Sequence, residues 1–596
     1  MSFVSMDPEF VAVVQAATVG ARLFPLSHTG NPKHLLPAAG IALLERLLTG
    51  TLRDFSHVFV AIAADDHATV PTMFENRPEL WTLATPEDSA PETGATSRTT
   101  TTTTTTPDPT VAFPQPHSVW KPANDNNDDK ANTNLPARVT VVRMPEECPG
   151  SAEILRQLEG LLPAAAHTLV VPADLLVTHS TTAATTTTIT ALLQTHRQGQ
   201  APKGANDRAA CTMLLQDVGE QDENGVPLKE SAKQKKGGLA RDAEDIEYMA
   251  LAFHTRDGAG GGGNNKHSTA ARVLWKQGKL AAEQDEDFTL TGQTPKLQIP
   301  KARLRCNGSG TVVKVRQDWN DLHVYVLSPW VVRLVQTKTN IVDLQTDLLP
   351  LLIRRQFVGK VETFGQGVES HIVTQILQQE QQDDPDATTA AGGVVDETAG
   401  HHINGLSPKD ANVNLTGFHN SANTSSTTTA AILRPNQTYT VLAHVGTGAM
   451  RVSSLPAYLY ASKEVLQTAL TTTSTGSLDD RPALPPQSTT NAKFMSLIMA
   501  DTEIGDKPTL KCSIVGRRCK LGHKCRLNNV ILLDDVQLGD NVVLQNTIVG
   551  RGTVVGDNCS LNDCQVAAGI QVESGTKEKG EVLVDTNTNT VTAAVG

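Results

Sequence analysis

The chain has 596 residues, more than one hydrophobic core organises, so two or three domains joined by loops are expected. Its 51 basic and 63 acidic residues leave a formal net charge of −12, which argues against a general nucleic-acid binder, although local patches can still be basic. No run of about 18 apolar residues predicts a membrane span, no secretory leader is evident, and the eight scattered cysteines contain no Cys-x2-Cys pair, so a reduced, cytosolic setting without metal is expected.

The first buried-strand candidate is Phe10–Val14, followed by a loop and a helical pattern around Ile41–Leu48. His57–Ala63, Arg138–Met144 and Thr168–Val171 are further apolar runs of strand length. Strands alternating with helical stretches imply an α/β domain with a mainly parallel sheet. This domain is expected over residues 1–377, interrupted at about 87–135, 216–242 and 257–266. The first of these tracts holds eight consecutive threonines, Thr99 to Thr106. A low-complexity insertion at 378–429, the end of the domain at 430–470 and a Thr/Pro-rich linker at 471–491 follow. None of these polar tracts has a burial pattern, so they read as flexible insertions, which cost little because closure entropy grows slowly with length.

From residue 492 to 584 the pattern changes. Aliphatic residues recur at Ile498, Ile504, Leu510, Val515, Leu521, Leu527, Leu532, Leu538, Leu544, Val549, Val555, Leu561, Val566 and Val572, in steps of six, six and five. Coils therefore repeat every 17 residues. Each hexad makes one short strand and a corner, three make a triangular coil, and the aliphatic side chains stack inside, as in the hexapeptide form of the left-handed parallel β-helix. The residue four places after the aliphatic one must be small, and Cys519, Cys525 and Cys559 stand there as core residues. A short tail, 585–596, follows. An exposed terminal coil invites edge pairing, so a partner chain is a plausible cover.

Between Lys507 and Leu533 there is no acidic residue, while Lys511, Arg517, Arg518, Lys520, Lys524 and Arg526 cluster there with His523. Arg517, Arg518, His523 and Lys524 fall at hexad corners and should be exposed. The cluster reads either as a docking surface for an acidic partner or as ordinary solvated corners. His523 alone could serve as an acyltransferase base, but a lone corner histidine is more often surface.

The segment after the first strand, QAATVGARLFPLS followed by NPKHLLPAAG, resembles the signature loop of sugar-nucleotide pyrophosphorylases. In that family backbone N–H groups cradle nucleotide phosphates, arginine and lysine offset developing charge, and a downstream aspartate holds Mg²⁺. Ala16, Ala17, Gly20, Arg22, Pro25, Leu26, Pro32 and Lys33 match. Thr18 stands where the family has its first glycine and Ala21 where it has Thr or Ser, and a β-branched residue at a glycine position restricts the backbone. Thr168–Thr178 resembles the strand ending in the metal aspartate, which puts Asp174 at that position, with a strand-end turn residue as the alternative; Asp321 is the nearest second carboxylate. The resemblance implies a Rossmann-like nucleotidyltransferase domain whose nucleotide-binding loop (Gly20, Arg22, Lys33, Asp174) is degenerate, with no catalytic residue, metal or cofactor.

This domain joined to a hexapeptide β-helix is similar to GDP-mannose pyrophosphorylases and to the gamma and epsilon subunits of translation initiation factor 2B. Asn340–Phe357, with Leu349-Pro350 and Arg355-Gln356-Phe357, and Thr438–Ala461 resemble gamma segments, and the short ending after Gly575–Val584 lacks the epsilon extension. The resemblance implies a cytosolic, non-catalytic subunit that pairs with epsilon and the other subunits, binds initiation factor 2 and supports GDP/GTP exchange, without direct nucleic-acid or membrane contact. The alternative is an active sugar-1-phosphate nucleotidyltransferase.

Overall fold

The computed structural model describes residues 9–17, 21–27, 32–66, 69–84, 116–123, 135–145, 148–177, 188–200, 208–218, 245–254, 270–278, 311–356, 439–446, 448–471, 484–485 and 487–584. Gly20, Thr18, residues 219–242, the tracts at 257–266 and 378–429, and the tail lie outside them.

Twelve strands form one sheet. In chain order they are β1 (Phe10–Ala16), β2 (Val58–Ile62), β3 (Trp81–Leu83), β4 (Pro116–Pro122), β5 (Val139–Arg143), β6 (His167–Pro172), β8 (Arg208–Asp217), β9 (Glu247–His254), β10 (Ala270–Gly278), β11 (Thr311–Arg316), β12 (Trp319–Leu327) and β13 (Tyr439–Gly446). Two short strands, β7 (Leu175–Val177) and β14 (Ala449–Arg451), pair with each other outside it. The spatial order is β11-β9-β10-β13-β8-β12-β6-β1-β2-β5-β4-β3.

The expected mainly parallel sheet is mixed. Parallel pairs are confined to β6-β1-β2-β5 and β8-β13; the other neighbours are antiparallel. The physical reason is visible in the strands that were legible. The four apolar runs read from the sequence form the parallel block, where both faces are covered and near-continuous Val and Ile runs result. Apart from the parallel pair β8-β13, the later strands return as antiparallel ribbons.

Two segments assigned to flexible tracts are ordered. Pro116–Pro122 pairs with β3 and β5, because Trp120 is buried and stacks on Phe74 with ring centroids 5.1 Å apart. Thr489–Asn491, placed in the linker, pairs antiparallel with Ser496–Ile498 at the start of the β-helix. The helical pattern at Ile41–Leu48 is a helix only over Leu43–Arg46, which widens into a looser turn at Leu47–Thr51.

In the C-terminal segment each strand from Ser496–Ile498 to Gln565–Val566 pairs in parallel with one 17 residues on. Ile498 opposes Val515, then Leu532, Val549, Val566 and Leu583. Ile504 begins the second column, which ends on Val572. Leu510 begins the third, which ends on Glu578. Corners recur at the same period with positive φ, as at Asp501, Arg518 and Asp535 or at Lys524, Asn541 and Asn558. Asn, Asp and Gly tolerate that backbone best and supply most corners. Cys519, Cys525 and Cys559 are buried inside the stack.

One face of the stack is apolar on both sides. Val515, Leu532 and Val549 point inward, while Ile514, Ile531 and Ile548 point outward and are also buried. Their cover is the helix Leu455–Thr471, through Tyr458, Ala461, Val465 and Leu466, together with Leu23, Leu26 and Leu36 of the segment that follows β1. The Tyr458 hydroxyl donates to the Pro37 carbonyl at 2.7 Å. The sheet domain and the β-helix therefore share one core. Ile531→Ala is expected to cost about 2–4 kcal/mol and to split thermal unfolding into two transitions in calorimetry; a single transition at the unaltered temperature would contradict the shared core.

Candidate functional site

β6 ends at Pro172, and Asp174 follows it at the turn into β7. β7 pairs with β14, with Arg451 opposite Leu175, and the Val452 amide donates to the Asp174 carbonyl at 2.9 Å. This small ladder sets the Arg451 guanidinium against the Asp174 carboxylate, at 3.2 Å to Oδ2 and 3.4 Å to Oδ1. From the other side Lys33, at the head of a tight turn after Pro32, donates from Nζ to Oδ2 at 2.9 Å. The Asp174 side chain is fully buried and that of Lys33 is 9% exposed. Burial alone would raise the Asp174 pKa, but Arg451 and Lys33 outweigh it and hold the carboxyl well below its usual range.

A second buried ion cluster lies on β9, β10 and β12. Lys276 Nζ contacts Asp321 Oδ2 at 2.8 Å and Glu247 Oε1 at 3.0 Å. Asp321 also accepts the Tyr325 hydroxyl at 3.0 Å and the His323 amide at 2.8 Å. Gln345, within the gamma-like segment, donates to Glu247 at 3.1 Å. Burial raises the Glu247 carboxyl; Asp321 is lowered, since Lys276 and His323 more than offset burial. The Arg451 guanidinium feels both Asp174 and Asp321, so the two clusters share one electrostatic neighbourhood. Lys33, Arg451 and Lys276 face Asp174, Asp321 and Glu247, a balanced set of charges that needs no outside ion.

Of the loop residues named from the sequence, Lys33 and Asp174 come together. Arg22 does not join them: its Nη1 lies 2.8 Å from an oxygen of Asp245. Gly20 lies outside the described residues. Arg451, Lys276 and Glu247 were missed; the only sequence signal was Arg451 inside the gamma-like stretch. His34, beside Lys33, is fully buried with neither ring nitrogen hydrogen-bonded, and burial lowers its pKa to about 3. Mg²⁺ requires accessible oxygens in near-octahedral array. Both Asp174 oxygens face the protein's own cations, Asp321 is bound by Lys276, and among the described residues no group of three or more His, Cys, Asp or Glu could hold a metal ion. In this arrangement the residues do not fit the Mg²⁺ that sugar-nucleotide pyrophosphorylases hold at the corresponding aspartate.

Gln356, in the same gamma-like segment as Gln345, ties this region together. Its amide donates to the Val273 carbonyl at 2.6 Å and accepts from Arg272 Nε at 3.0 Å and the Val441 amide at 3.2 Å.

The basic run on the β-helix is divided by the coil. Arg517 is half-buried rather than exposed, because its corner directly follows Ile514–Val515, whose outward Ile514 is covered by the helix; its backbone amide donates to Asp534 Oδ1 at 2.8 Å. Arg518 forms a two-pronged pair with Asp535 at 2.6 and 2.9 Å. Lys520 lies 3.4 Å from Glu503 of the preceding coil. Lys511 and Arg526 point outward on a different face, and Lys524 is at the corner between the two. His523 is exposed and accepts the Asp506 amide through Nδ1 at 3.0 Å.

Among the described residues no helix is long and apolar enough to cross a membrane. No curated protein matches the chain. Residues 486–577 match the family model described as the EIF2B subunit epsilon LbH domain, so the C-terminal stack is a left-handed β-helix of the kind found in the EIF2B family.

Proposed function

We propose that this chain is a gamma-like, non-catalytic subunit of an initiation factor 2B-type guanine-nucleotide exchange assembly. The observation that carries the reading is the match of the β-helix to the EIF2B epsilon LbH model. Within that family, Asn340–Phe357 and Thr438–Ala461 favour gamma. The N-terminal domain is read as a degenerate nucleotidyltransferase: Thr18 and Ala21 depart from the phosphate loop, and Asp174 is engaged by Lys33 and Arg451. Its surfaces would serve epsilon, the other subunits and initiation factor 2 in the cytosol, and would do no bond-making chemistry. The rival, a sugar-1-phosphate nucleotidyltransferase, has one observation in its favour, the convergence of Lys33 on Asp174.

Affinity purification from the native cell, with identification of the co-purifying chains, tests the reading. Recovery with the other four subunit types and initiation factor 2 is expected. A lone chain that turns over nucleoside triphosphates and hexose-1-phosphates, with turnover abolished by Asp174→Asn, would overturn it in favour of the rival.

A further inference from the structure

The three faces of the β-helix are chemically unequal. The first is covered by the helix Leu455–Thr471. On the second, the outward residues Glu503, Lys520, Gln537, Val554 and Gln571 carry one acid and one base, and these two pair with each other. The third face has two outward columns. One runs Lys511, Asn528, Gln545, Asn562, Lys579, and the other Thr509, Arg526, Val543, Ser560, Lys577. Neither column contains an acid. None of these four cations makes an ion pair with another described residue, and all four are exposed.

Acids at both corners of this face are engaged in the stack itself; Asp563 Oδ1 accepts the Asn546 side-chain amide at 2.8 Å. Asp540 Oδ1 accepts the His523 amide at 2.6 Å, and Asp557 Oδ1 accepts the Asp540 amide at 2.7 Å. Glu578, between Lys577 and Lys579 on the last strand of this face, holds the inward register opposite Leu561 but is exposed at the open end of the stack. Backbone groups on this face are used up by the ladder, so recognition falls to the side chains. Adjacent strands are about 4.8 Å apart, so Lys511 and Lys579 are separated by about 19 Å, the reach of about six residues of extended chain.

We infer that this third face docks an acidic, extended segment of a partner protein, with its carboxylates on Lys511, Lys579, Arg526 and Lys577 and its polar groups on the amides between them. This narrows the basic run of the sequence: Arg518 and Lys520 are already paired within the stack, and Lys577 and Lys579, 51 residues beyond Arg526 in sequence for the first of them, belong to the surface. In the cell such a contact rests on the chain being an assembly subunit; the chemistry of the face does not.

The test is fluorescence anisotropy of the full chain with a labelled oligoglutamate and, separately, a labelled oligouridylate of equal length. The variant K511E/R526E/K577E/K579E should weaken oligoglutamate binding by about tenfold or more and flatten its salt dependence. The variant R518E/K520E should stay within about twofold of wild type. The neutral variant K511Q/K579Q, which adds no repulsion, should give an intermediate loss and serves if the fourfold reversal fails to fold by circular dichroism. Unchanged affinity in the third-face variants, an equal loss in R518E/K520E, or tighter binding of oligouridylate than of oligoglutamate would overturn the inference. Subunit co-purification is scored separately, so loss of one result leaves the other standing.

Discussion

Acidification from neutrality to about pH 5 is expected to cost this protein most of its stability, through its buried histidines. Burial lowers the pKa of His34 and His196 to about 3 and that of His57, His323 and His444 to about 4, from an ordinary value of 6.5. These rings are neutral in the folded chain but become charged in the unfolded one below about pH 6.5. The unfolded state then binds more protons, so stability is fully present above that pH and falls as pH drops toward about 4. Glu45 and Glu247 oppose the trend, since burial raises their carboxyls and the folded state takes up their protons first.

Each such ring contributes up to about 1.4 kcal/mol per pH unit below the unfolded pKa, against a total stability of about 5–15 kcal/mol. His34→Leu should flatten the profile, because it removes a ring with no hydrogen-bond partner on either nitrogen and puts an apolar group in its place. Chemical denaturation at a series of pH values measures both. A flat midpoint between pH 7 and pH 5 would refute the account.

Lys276→Met is expected to destabilise the fold by about 3–5 kcal/mol, the cost of stripping one partner from a buried ion cluster. The Lys276 side chain is 4% exposed, and its ammonium lies against two carboxylates. Without it, Asp321 and Glu247 face each other uncompensated, each of their pKa values rises, and the variant should recover stability as pH falls and they protonate. The triple change Lys276→Met, Asp321→Asn and Glu247→Gln should restore part of the loss, since neutral amides can still accept from Tyr325 and Gln345. A loss under about 1 kcal/mol for Lys276→Met, or no recovery in acid, would mean that water reaches the cluster and that the charges are not held by one another.

The parts of the fold legible in the sequence are those whose burial has a short period. The 17-residue recurrence from Ile498 onward shows because each coil repeats the same solvent contrast, and the register pairs Ile498 with Val515 and Leu521 with Leu538. Phe10–Val14, His57–Ala63, Arg138–Met144 and Thr168–Val171 were legible because strands covered on both faces are apolar throughout. Pro116–Pro122 was not, since one buried tryptophan is too little pattern to stand out from a polar tract.

What the sequence by itself determined was the coil and the parallel heart of the sheet; the loop resemblance put Lys33 and Asp174 in one nucleotide-binding site, and their ion pair was not readable. Tertiary structure decided the rest. Arg451 meets Asp174 across 277 positions of chain and Lys276 meets Asp321 across 45, separations at which no local spacing constrains which cation finds which carboxylate. The β-helix parts neighbours such as Arg517 and Lys520 at its corners and aligns residues 17 apart, so charges adjacent in the chain serve different faces. Ile514, Ile531 and Ile548 became core when the helix Leu455–Thr471 covered them. Apolar doublets state that two sides are dry, and only the assembled chain states what dries them.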